Sequence, residues 1–112
     1  MIKVEFYYNS SEILCGFQIS GHSGYSEYGS DIVCAGVSAL AINTVNSIQK
    51  LTRDNIEVNY EDEGGYLKCI LPESTRTNVS KETLLLLQAL ELGITNIQKD
   101  YKKYIHISYR EV

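Results

Sequence analysis

The sequence predicts an α+β fold, a two-layer sandwich in which two helices cover one face of a mainly antiparallel five-stranded sheet. Two observations carry this prediction. Five short segments alternate apolar and polar residues with a period of two, and two longer segments repeat apolar residues at helical spacing. Their order along the chain is ββαββαβ, which favours helices gathered on one face of the sheet. At 112 residues, the chain is predicted to form one domain, residues 1–112, around a single core.

The first twenty residues predict a β-hairpin. Residues 2–8 (IKVEFYY) and residues 13–20 alternate in polarity, which is typical of half-buried strands. The polar segment NSSE between them is typical of a turn. One face of the hairpin is apolar and includes Phe6, Cys15 and Phe17. The opposite face, with Tyr7 and Gln18, is predicted to be polar and to meet solvent.

Residues 31–51 change to a helical period. Side chains three or four residues apart form one stripe, made of Val33, Val37, Leu40, Ala41, Thr44, Ile48 and Leu51. This spacing predicts an amphipathic helix that buries the stripe. Ser30 or Asp31 is predicted to cap the first turn, because both side chains accept hydrogen bonds from free backbone N–H groups.

Two strands, a second helix and a last strand complete the chain. Strands are predicted near residues 56–60 and 67–71, joined by the turn EDEGG and ended by Pro72. A helix is predicted from about Ser80, with its apolar stripe at Leu87, Leu90, Ile94, Ile97, Tyr101 and Tyr104. In the last strand Ile105, Ile107 and Tyr109 are predicted to face the core, with His106 and Ser108 outward.

Composition excludes several classes of protein. Hydrophobic residues make up 44% of the chain and charged residues 21%, as in ordinary globular proteins. The formal net charge of −4 argues against a broad nucleic-acid-binding face. No signal peptide or membrane-spanning run is predicted. Three cysteines without a CxxC pair predict neither a disulfide framework nor a zinc knuckle, so we expect a cytoplasmic protein with no metal and no cofactor.

The segment GHSGYSEYGSDIVCAG, residues 21–36, carries the candidate chemistry. A helix starting at Asp31 places Cys34 in the first turn, where free N–H groups and the helix dipole favour an anionic thiolate. The same N–H groups can stabilise an oxyanion on a substrate carbonyl. His22 follows the second strand directly, at the other end of the loop, and is predicted to reach Cys34 as its base.

Other polar residues have two readings each. Asp31 either caps the helix or orients His22. Ser38 lies one helical turn beyond Cys34 and either donates a hydrogen bond at the site or bonds back to its own helix. Cys15 and Cys69 are predicted to be buried and structural. His106 is predicted to be an exposed strand residue.

Residues 21–40, GHSGYSEYGSDIVCAGVSAL, resemble the signature of the ribosomal-processing cysteine protease (Prp) family. That signature is a Gly-His pair, a Gly-rich loop ending in Gly-x-Asp-Ile-Val-Cys-Ala, and a helix with Ser-Ala-Leu. The similarity extends over nearly the whole chain, through its length, the ββαββαβ order, the NSI helix end and the GG hairpin.

The resemblance implies a cytoplasmic endopeptidase, usually a homodimer, that removes the N-terminal extension of large-subunit ribosomal protein number twenty-seven. On matching positions it implies Cys34 as nucleophile and His22 as general base and acid. Signature positions with supporting roles are Gly21, Asp31 and Ser38. The Gly-rich loop is expected to gate the substrate, with its glycines and tyrosines at Gly24, Tyr25, Tyr28 and Gly29.

Two alternatives use the same residues differently. The first is a non-catalytic, ribosome-associated interaction module in which Cys34 and His22 are structural. The second is a thiol redox sensor, although no second loop cysteine is present to resolve a sulfenic acid. One His, one Cys and one Asp also fall short of a structural zinc set.

Overall fold

Seven elements follow the predicted order. The computed structural model describes residues 1–21, 28–61 and 65–112, and only the backbone of residues 28–31. The elements are β1 (Ile2–Tyr8), β2 (Leu14–Ser20), α1 (Tyr28–Leu51), β3 (Glu57–Tyr60), β4 (Tyr66–Ile70), α2 (Lys81–Asp100) and β5 (Ile105–Glu111). The strands form one sheet in the order β3-β4-β2-β1-β5. The α+β prediction is therefore confirmed.

The sheet is mixed rather than purely antiparallel. Three neighbouring pairs, β1 with β2, β2 with β4 and β3 with β4, are antiparallel. The last strand, β5, lies parallel to β1. It enters beside the start of β1, where the Ile2 N–H donates to the Tyr104 carbonyl at 2.8 Å. This parallel pair makes β5 one edge of the sheet and leaves β3 as the other.

The main core lies between the sheet and the two helices. The helical stripes predicted from spacing supply most of it, since Val33, Val37, Ala41, Ile48, Leu87, Leu90 and Ile94 are at most 2% exposed. They meet Val4, Phe6 and Phe17 of the hairpin. Leu51 departs from its predicted burial, because it is the last residue of α1 and is 72% exposed.

The opposite face of the sheet is less polar than predicted. Tyr7 is only 3% exposed and packs with Cys15, Ile70 and Val79 in a second, smaller cluster. A register shift between Tyr7 and Tyr8, typical of a β-bulge, leaves Cys15 without a partner in β1 and lets it join this cluster. The segment between β4 and α2 contributes Val79, so it covers part of the face expected to meet solvent.

Helix α1 is long and apolar enough to cross a membrane by length and composition alone. A core helix of a globular protein has the same character, because one of its faces replaces water with other side chains. Val33, Val37, Ala41 and Ile48 of α1 belong to the core shared with the sheet and α2. We therefore interpret α1 as a core helix.

Candidate active site

Helix α1 begins at Tyr28, three residues before the predicted start at Asp31. Cys34 is consequently its seventh residue and lies in the second turn. The free N–H groups of a helix belong to its first four residues, so those of α1 precede Cys34. The predicted stabilisation of a Cys34 thiolate or oxyanion by its own N-terminal turn is therefore wrong. A carboxylate such as that of Asp31 is stabilised in the first turn of a helix as well as at its cap. The sequence therefore did not determine where α1 starts.

Cys34 lies at one end of an apolar groove of about 490 Å³. Val33, the residue before it on α1, is fully buried in the core. Successive helix residues point about 100° apart, so the Cys34 side chain is directed away from Val33 and towards the groove wall. Its side chain is half-buried and packs partly against the core. The side chain thus combines packing, which holds it in place, with access to the groove.

One face of α1 forms the first wall of this groove. Its residues recur three or four positions apart, as a helix face requires, and are Cys34, Val37, Ser38, Ala41, Ile42, Val45, Asn46 and Gln49. Ser38 is exposed and lies one turn beyond Cys34. The structure thus brings Ser38 to the same groove as Cys34, as predicted.

The sheet forms the second wall. Its contribution comes from the start of β1, the end of β2 and the β3–β4 hairpin, through Ile2, Ile19, Gly21, Val58, Tyr60, Glu61, Gly65, Tyr66 and Leu67. Among the lining residues that the structure describes, Glu61 is the one charged side chain. Aliphatic and aromatic side chains dominate the sheet wall, and aliphatic side chains make up half of the α1 wall. The groove therefore favours an apolar chain over a charged small molecule.

Gly21 occupies a position that admits no side chain. Its φ is +80°, and a Cβ there would lie 2.5 Å from the Met1 carbonyl oxygen. Its N–H donates to the Gly65 carbonyl at 2.9 Å, which ties the end of β2 to the β3–β4 hairpin. The residue immediately before His22 is therefore held on the groove wall that faces Cys34.

Several predicted site residues lie outside the described residues or lack described side chains. His22, Gly24 and Tyr25 fall in residues 22–27, outside the described ranges. Tyr28, Gly29 and Asp31 belong to α1 by their backbone. The structure thus places Cys34, Ser38 and Gly21 at the groove, and the pairing of Cys34 with His22 stays a prediction.

The other candidate residues lie elsewhere. Cys15 and Cys69 are 0% and 1% exposed, and burial raises the pKa of both thiols, that of Cys69 to about 12. They are buried, as predicted. His106 is exposed on β5, also as predicted. Among the described side chains no group of three or more His, Cys, Asp or Glu residues is arranged to hold a metal ion.

Sequence reasoning missed most of the groove. Ile42 is 56% exposed and Tyr60 69% exposed, yet both line it. A signal was present, because Ile42 lies off the apolar stripe of α1 and a large exposed apolar side chain on a helix often marks a binding surface. Asn46 and Gln49 carried no such signal, since amides are ordinary on an exposed helix face.

Comparisons with known proteins place this groove in context. The sequence model of the family described as cysteine protease Prp matches residues 1–106. The ribosomal processing cysteine protease Prp of Staphylococcus aureus is 34% identical over 110 residues, which cover 98% of this chain and 100% of that protein. Its Bacillus subtilis counterpart is 27% identical over 108 residues, 96% of each chain.

Solved structures agree with this relationship. The crystal structure of the S. aureus protease with a covalently linked product peptide superposes with a TM-score of 0.85 at 34% identity, covering 98% of this chain and 100% of that one. The same protease with a substrate peptide gives a TM-score of 0.84 at 31% identity, with the same coverage. The expected fold, the groove that contains Cys34 and the match over residues 1–106 lead to one conclusion: this chain belongs to the Prp family of cysteine proteases.

Proposed function

We propose that this protease removes the N-terminal extension from the precursor of large-subunit ribosomal protein number twenty-seven, with Cys34 and His22 as a catalytic dyad. The observation that carries the proposal is the position of Cys34 at one end of a long apolar groove. A groove of this kind suits an extended peptide segment. The names of the relatives, ribosomal processing proteases, support a ribosomal precursor as the substrate class.

Burial supports Cys34 over the other two thiols as the nucleophile. A thiolate is the attacking form of cysteine, and desolvation holds Cys15 and Cys69 in the neutral form. Neither of those thiols lines the groove. Cys34 is half-buried and lines it. A peptide carbonyl entering the groove can therefore meet the Cys34 Sγ.

The proposed reaction proceeds in two steps. His22 takes the proton of the Cys34 thiol, and the thiolate Sγ attacks the carbonyl carbon of the scissile peptide bond. The C–N bond then breaks, His22 returns the proton to the departing amine, and a thioester remains on Cys34. Water, deprotonated by His22, attacks the thioester, which releases the carboxylate product and restores the thiol. No metal or cofactor is required for either step.

Gly21 supports His22 in this role. The hydrogen bond to Gly65 and the close contact with Met1 hold Gly21 on the groove wall. His22 follows Gly21 directly in the sequence, which supports its proposed role at the groove. Ser38 is positioned on the same wall as Cys34 and is proposed to hydrogen-bond near the reacting carbonyl, while Asp31 remains a candidate to orient His22.

The proposal extends to the setting of the enzyme. All three cysteines are unpaired, which suits the reducing cytoplasm. The net charge of −4 suits a protein partner that is basic, as ribosomal proteins are, rather than a direct nucleic-acid contact. The family resemblance supports a homodimer, which sedimentation equilibrium tests directly.

Incubation of the purified protein with the precursor ribosomal protein tests the proposal, with cleavage followed by intact mass. We expect the wild type to release the N-terminal extension, and Cys34→Ala and His22→Ala to lose activity by at least a thousandfold, because the dyad supplies both nucleophile and proton transfer. His106→Ala is the matched control, since it removes an exposed imidazole outside the groove, and we expect it to retain full activity.

Two outcomes contradict the proposal in different ways. Undiminished cleavage by a folded Cys34→Ala or His22→Ala variant would exclude the dyad. A wild-type enzyme that leaves the precursor intact but cleaves another apolar peptide would exclude the substrate while keeping the chemistry. Thermal unfolding of each variant establishes that it is folded.

A further inference from the structure

Strand β3 forms a free edge of the sheet beside the groove. It is the first strand in the order β3-β4-β2-β1-β5 and pairs only with β4. Proteins usually protect such an edge with a bulge, a proline, a lysine or a covering segment. The four residues of β3, EVNY, include no proline or lysine, and they pair with β4 without a break in register. Within residues 1–21, 28–61 and 65–112, no further strand pairs with this edge.

The hydrogen-bond ladder identifies the free backbone groups. The Glu61 N–H donates to the Tyr66 carbonyl at 3.3 Å. In an antiparallel pair, hydrogen-bonded residues alternate with residues whose N–H and C=O groups point away from the partner. Glu57 and Asn59 therefore bond to β4 together with Glu61. Val58 and Tyr60 direct their N–H and C=O groups to the open edge.

The other side of β4 gives the same alternation. Gly21 donates its N–H to the Gly65 carbonyl at 2.9 Å, and Leu71 donates its N–H to the Cys15 carbonyl at 3.0 Å. The odd-numbered residues at both ends of β4 thus bond to β2, so its even-numbered residues bond to β3. Two independent sets of bonds agree that Val58 and Tyr60 are the residues with free backbone groups.

The side chains of the same two residues line the groove. Val58 lies opposite Cys69 and Tyr60 opposite Leu67 in the β3–β4 register, on the face of the sheet that carries the main core. Both reach the groove that contains Cys34. Val58 and Tyr60 therefore present backbone hydrogen-bonding groups and side chains to one incoming chain.

Strand β3 also runs in the direction that the site requires. Its end at Glu61 bonds to Tyr66, next to the Gly65 that accepts from Gly21, and all of these residues line the groove. Five residues connect the end of α1 at Leu51 to the start of β3 at Glu57. Because this connection is short, we infer that β3 starts near the Gln49 end of the helix and runs back towards Cys34. The groove spans about 22 Å from Cys34 to Gln49 at roughly 1.5 Å per helical residue. An extended chain of about seven residues, at about 3.3 Å each, fills that length.

We propose that the substrate segment binds as an added strand on the edge of β3, with its backbone hydrogen-bonded to Val58 and Tyr60. The inference rests on the proposed function, because it assumes that the chain entering the groove is the peptide that Cys34 cleaves. Strand addition draws affinity from main-chain hydrogen bonds and specificity from every second side chain. Every second side chain of the substrate then contacts the groove and determines specificity. The substrate residues between them point away and tolerate substitution.

A scan of backbone methylation tests this pairing. Peptides spanning the processing site of the precursor are synthesised with a single N-methyl group at successive positions, and kcat/KM is measured for each. N-methylation removes one N–H donor and blocks one strand contact. We expect losses of roughly tenfold, the effect of one lost backbone hydrogen bond, at two positions separated by one residue. Methylation between them is expected to change kcat/KM less than twofold.

The outcomes separate this inference from the proposed function. Cleavage of the unmodified peptide by the wild type, lost in Cys34→Ala, tests the proposed function alone. If that peptide is cleaved but methylation has a uniform effect or none, the strand pairing is wrong. If the unmodified peptide is not cleaved at all, the proposed function has failed and the pairing fails with it.

A matched pair of variants repeats the test from the protein side. Val58→Ala shortens the side chain and keeps the N–H, whereas Val58→Pro also removes the N–H that points to the open edge while sparing the bonds to β4. We expect kcat/KM of Val58→Pro to fall about tenfold below that of Val58→Ala. Equal values in two folded variants would contradict the pairing, and the methylation scan decides the question if Val58→Pro does not fold.

Discussion

Cys15 and Cys69 are 0% and 1% exposed, whereas Cys34 is half-buried at the groove. Desolvation penalises a buried thiolate, and it raises the pKa of Cys69 to about 12. Alkylating agents react with the thiolate form and need physical access to the sulfur. The three thiols of this chain therefore differ in reactivity through their surroundings alone.

We expect iodoacetamide near neutral pH to add a single carbamidomethyl group to the folded protein, at Cys34. Intact mass and peptide mapping identify the modified residue. Cys34→Ala is expected to remain unmodified over the same time, and unfolding in urea is expected to expose all three thiols. Rapid modification of Cys69 in the folded protein would contradict the burial argument.

The surroundings of single residues were partly predictable from the sequence. Alternation along two strands, with Ile, Phe or Leu two residues away on the same face, predicted that Cys15 and Cys69 are buried. Helical spacing predicted that Ser38 shares a face with Cys34. The start of α1 at Tyr28 was not predictable, because Ser30 is a typical cap and an acidic residue such as Asp31 is favourable both at a cap and inside a first turn. The predicted role of N–H groups at Cys34 depended on that start.

At the scale of elements, a polar network joins the end of α1 to the start of α2. Ser80 caps α2 by accepting a hydrogen bond from the Thr83 N–H at 3.2 Å. Its N–H and hydroxyl both donate to the Asp54 carboxylate, at 3.1 and 2.7 Å. The Thr83 hydroxyl oxygen lies 3.2 Å from the Thr52 hydroxyl oxygen, within hydrogen-bond distance. One carboxylate thus fixes the cap of α2 to the residues that follow α1.

Replacing Ser80 with Ala is expected to lower the free energy of unfolding by about 1 to 2 kcal/mol, the usual effect of losing an N-cap. Asp54→Asn is expected to lower it too, and the double variant to lose less than the sum, because both substitutions break the same bonds. Urea denaturation at pH 7 measures all three. Glu73→Gln, which removes an exposed carboxylate from the preceding loop, is the control and is expected to match the wild type.

The pH dependence of this network has a defined sign. Burial raises the pKa of Asp54, but hydrogen bonds from Thr83 and Ser80 outweigh it and hold the pKa below its ordinary value of 3.8. As pH falls, the unfolded chain therefore binds this proton before the folded protein does. The stability difference between wild type and Asp54→Asn is expected to be full above about pH 5 and to shrink progressively below it. A difference that grows on acidification would contradict the network.

All seven elements followed from periodicity, yet the environment of Tyr7 did not. Alternation places Tyr7 on the face opposite Phe6, and the structure agrees. What covers that face is the segment after β4, which the Asn9 side chain anchors by donating to the Arg76 carbonyl at 3.1 Å. A contact between residues so distant in sequence leaves no periodic trace, so burial of Tyr7 required the tertiary structure.

At the scale of the whole molecule, the groove results from how two helices cover five strands. Helix α2 packs on β2 and β5, and α1 packs along α2. The β3–β4 end of the sheet is left less covered, with Val58 and Leu67 only half-buried. This uncovered end and one face of α1 make the walls of the groove. The sequence predicted both layers but not their offset, which depends on how the helices pack together.

The molecule as a whole is expected to lose stability in alkali. Burial raises the pKa of Tyr7 to about 12, and the negative charge of Glu5 adds to this shift. Burial and the hydrogen bond to Glu91 raise the pKa of Tyr109 to about 12 as well. Cys69 is shifted in the same direction by desolvation. Between about pH 9 and pH 12 the unfolded chain gives up these protons while the folded protein retains them, so rising pH favours unfolding.

Thermal unfolding from pH 8 to pH 11 measures this dependence. We expect the midpoint to fall progressively above pH 9. In Tyr7→Phe the fall is expected to be shallower, because one of the shifted groups is gone, although the loss of the hydrogen bond to Gln18 (3.1 Å) lowers the midpoint at every pH. A midpoint that stays constant up to pH 11 would show that these groups titrate alike in the two states.

The nucleophile and the first groove wall belong to one uninterrupted helix, α1. Each added or deleted residue in a helix rotates everything beyond it by about 100° and shifts it by about 1.5 Å. A single insertion between Cys34 and Gln49 would therefore turn the wall away from the nucleophile. Evolution can adjust this wall by exchanging side chains but not by changing its length. Variation that keeps Cys34 in register with this wall is therefore expected as substitutions on α1 and as changes in the connections at its two ends.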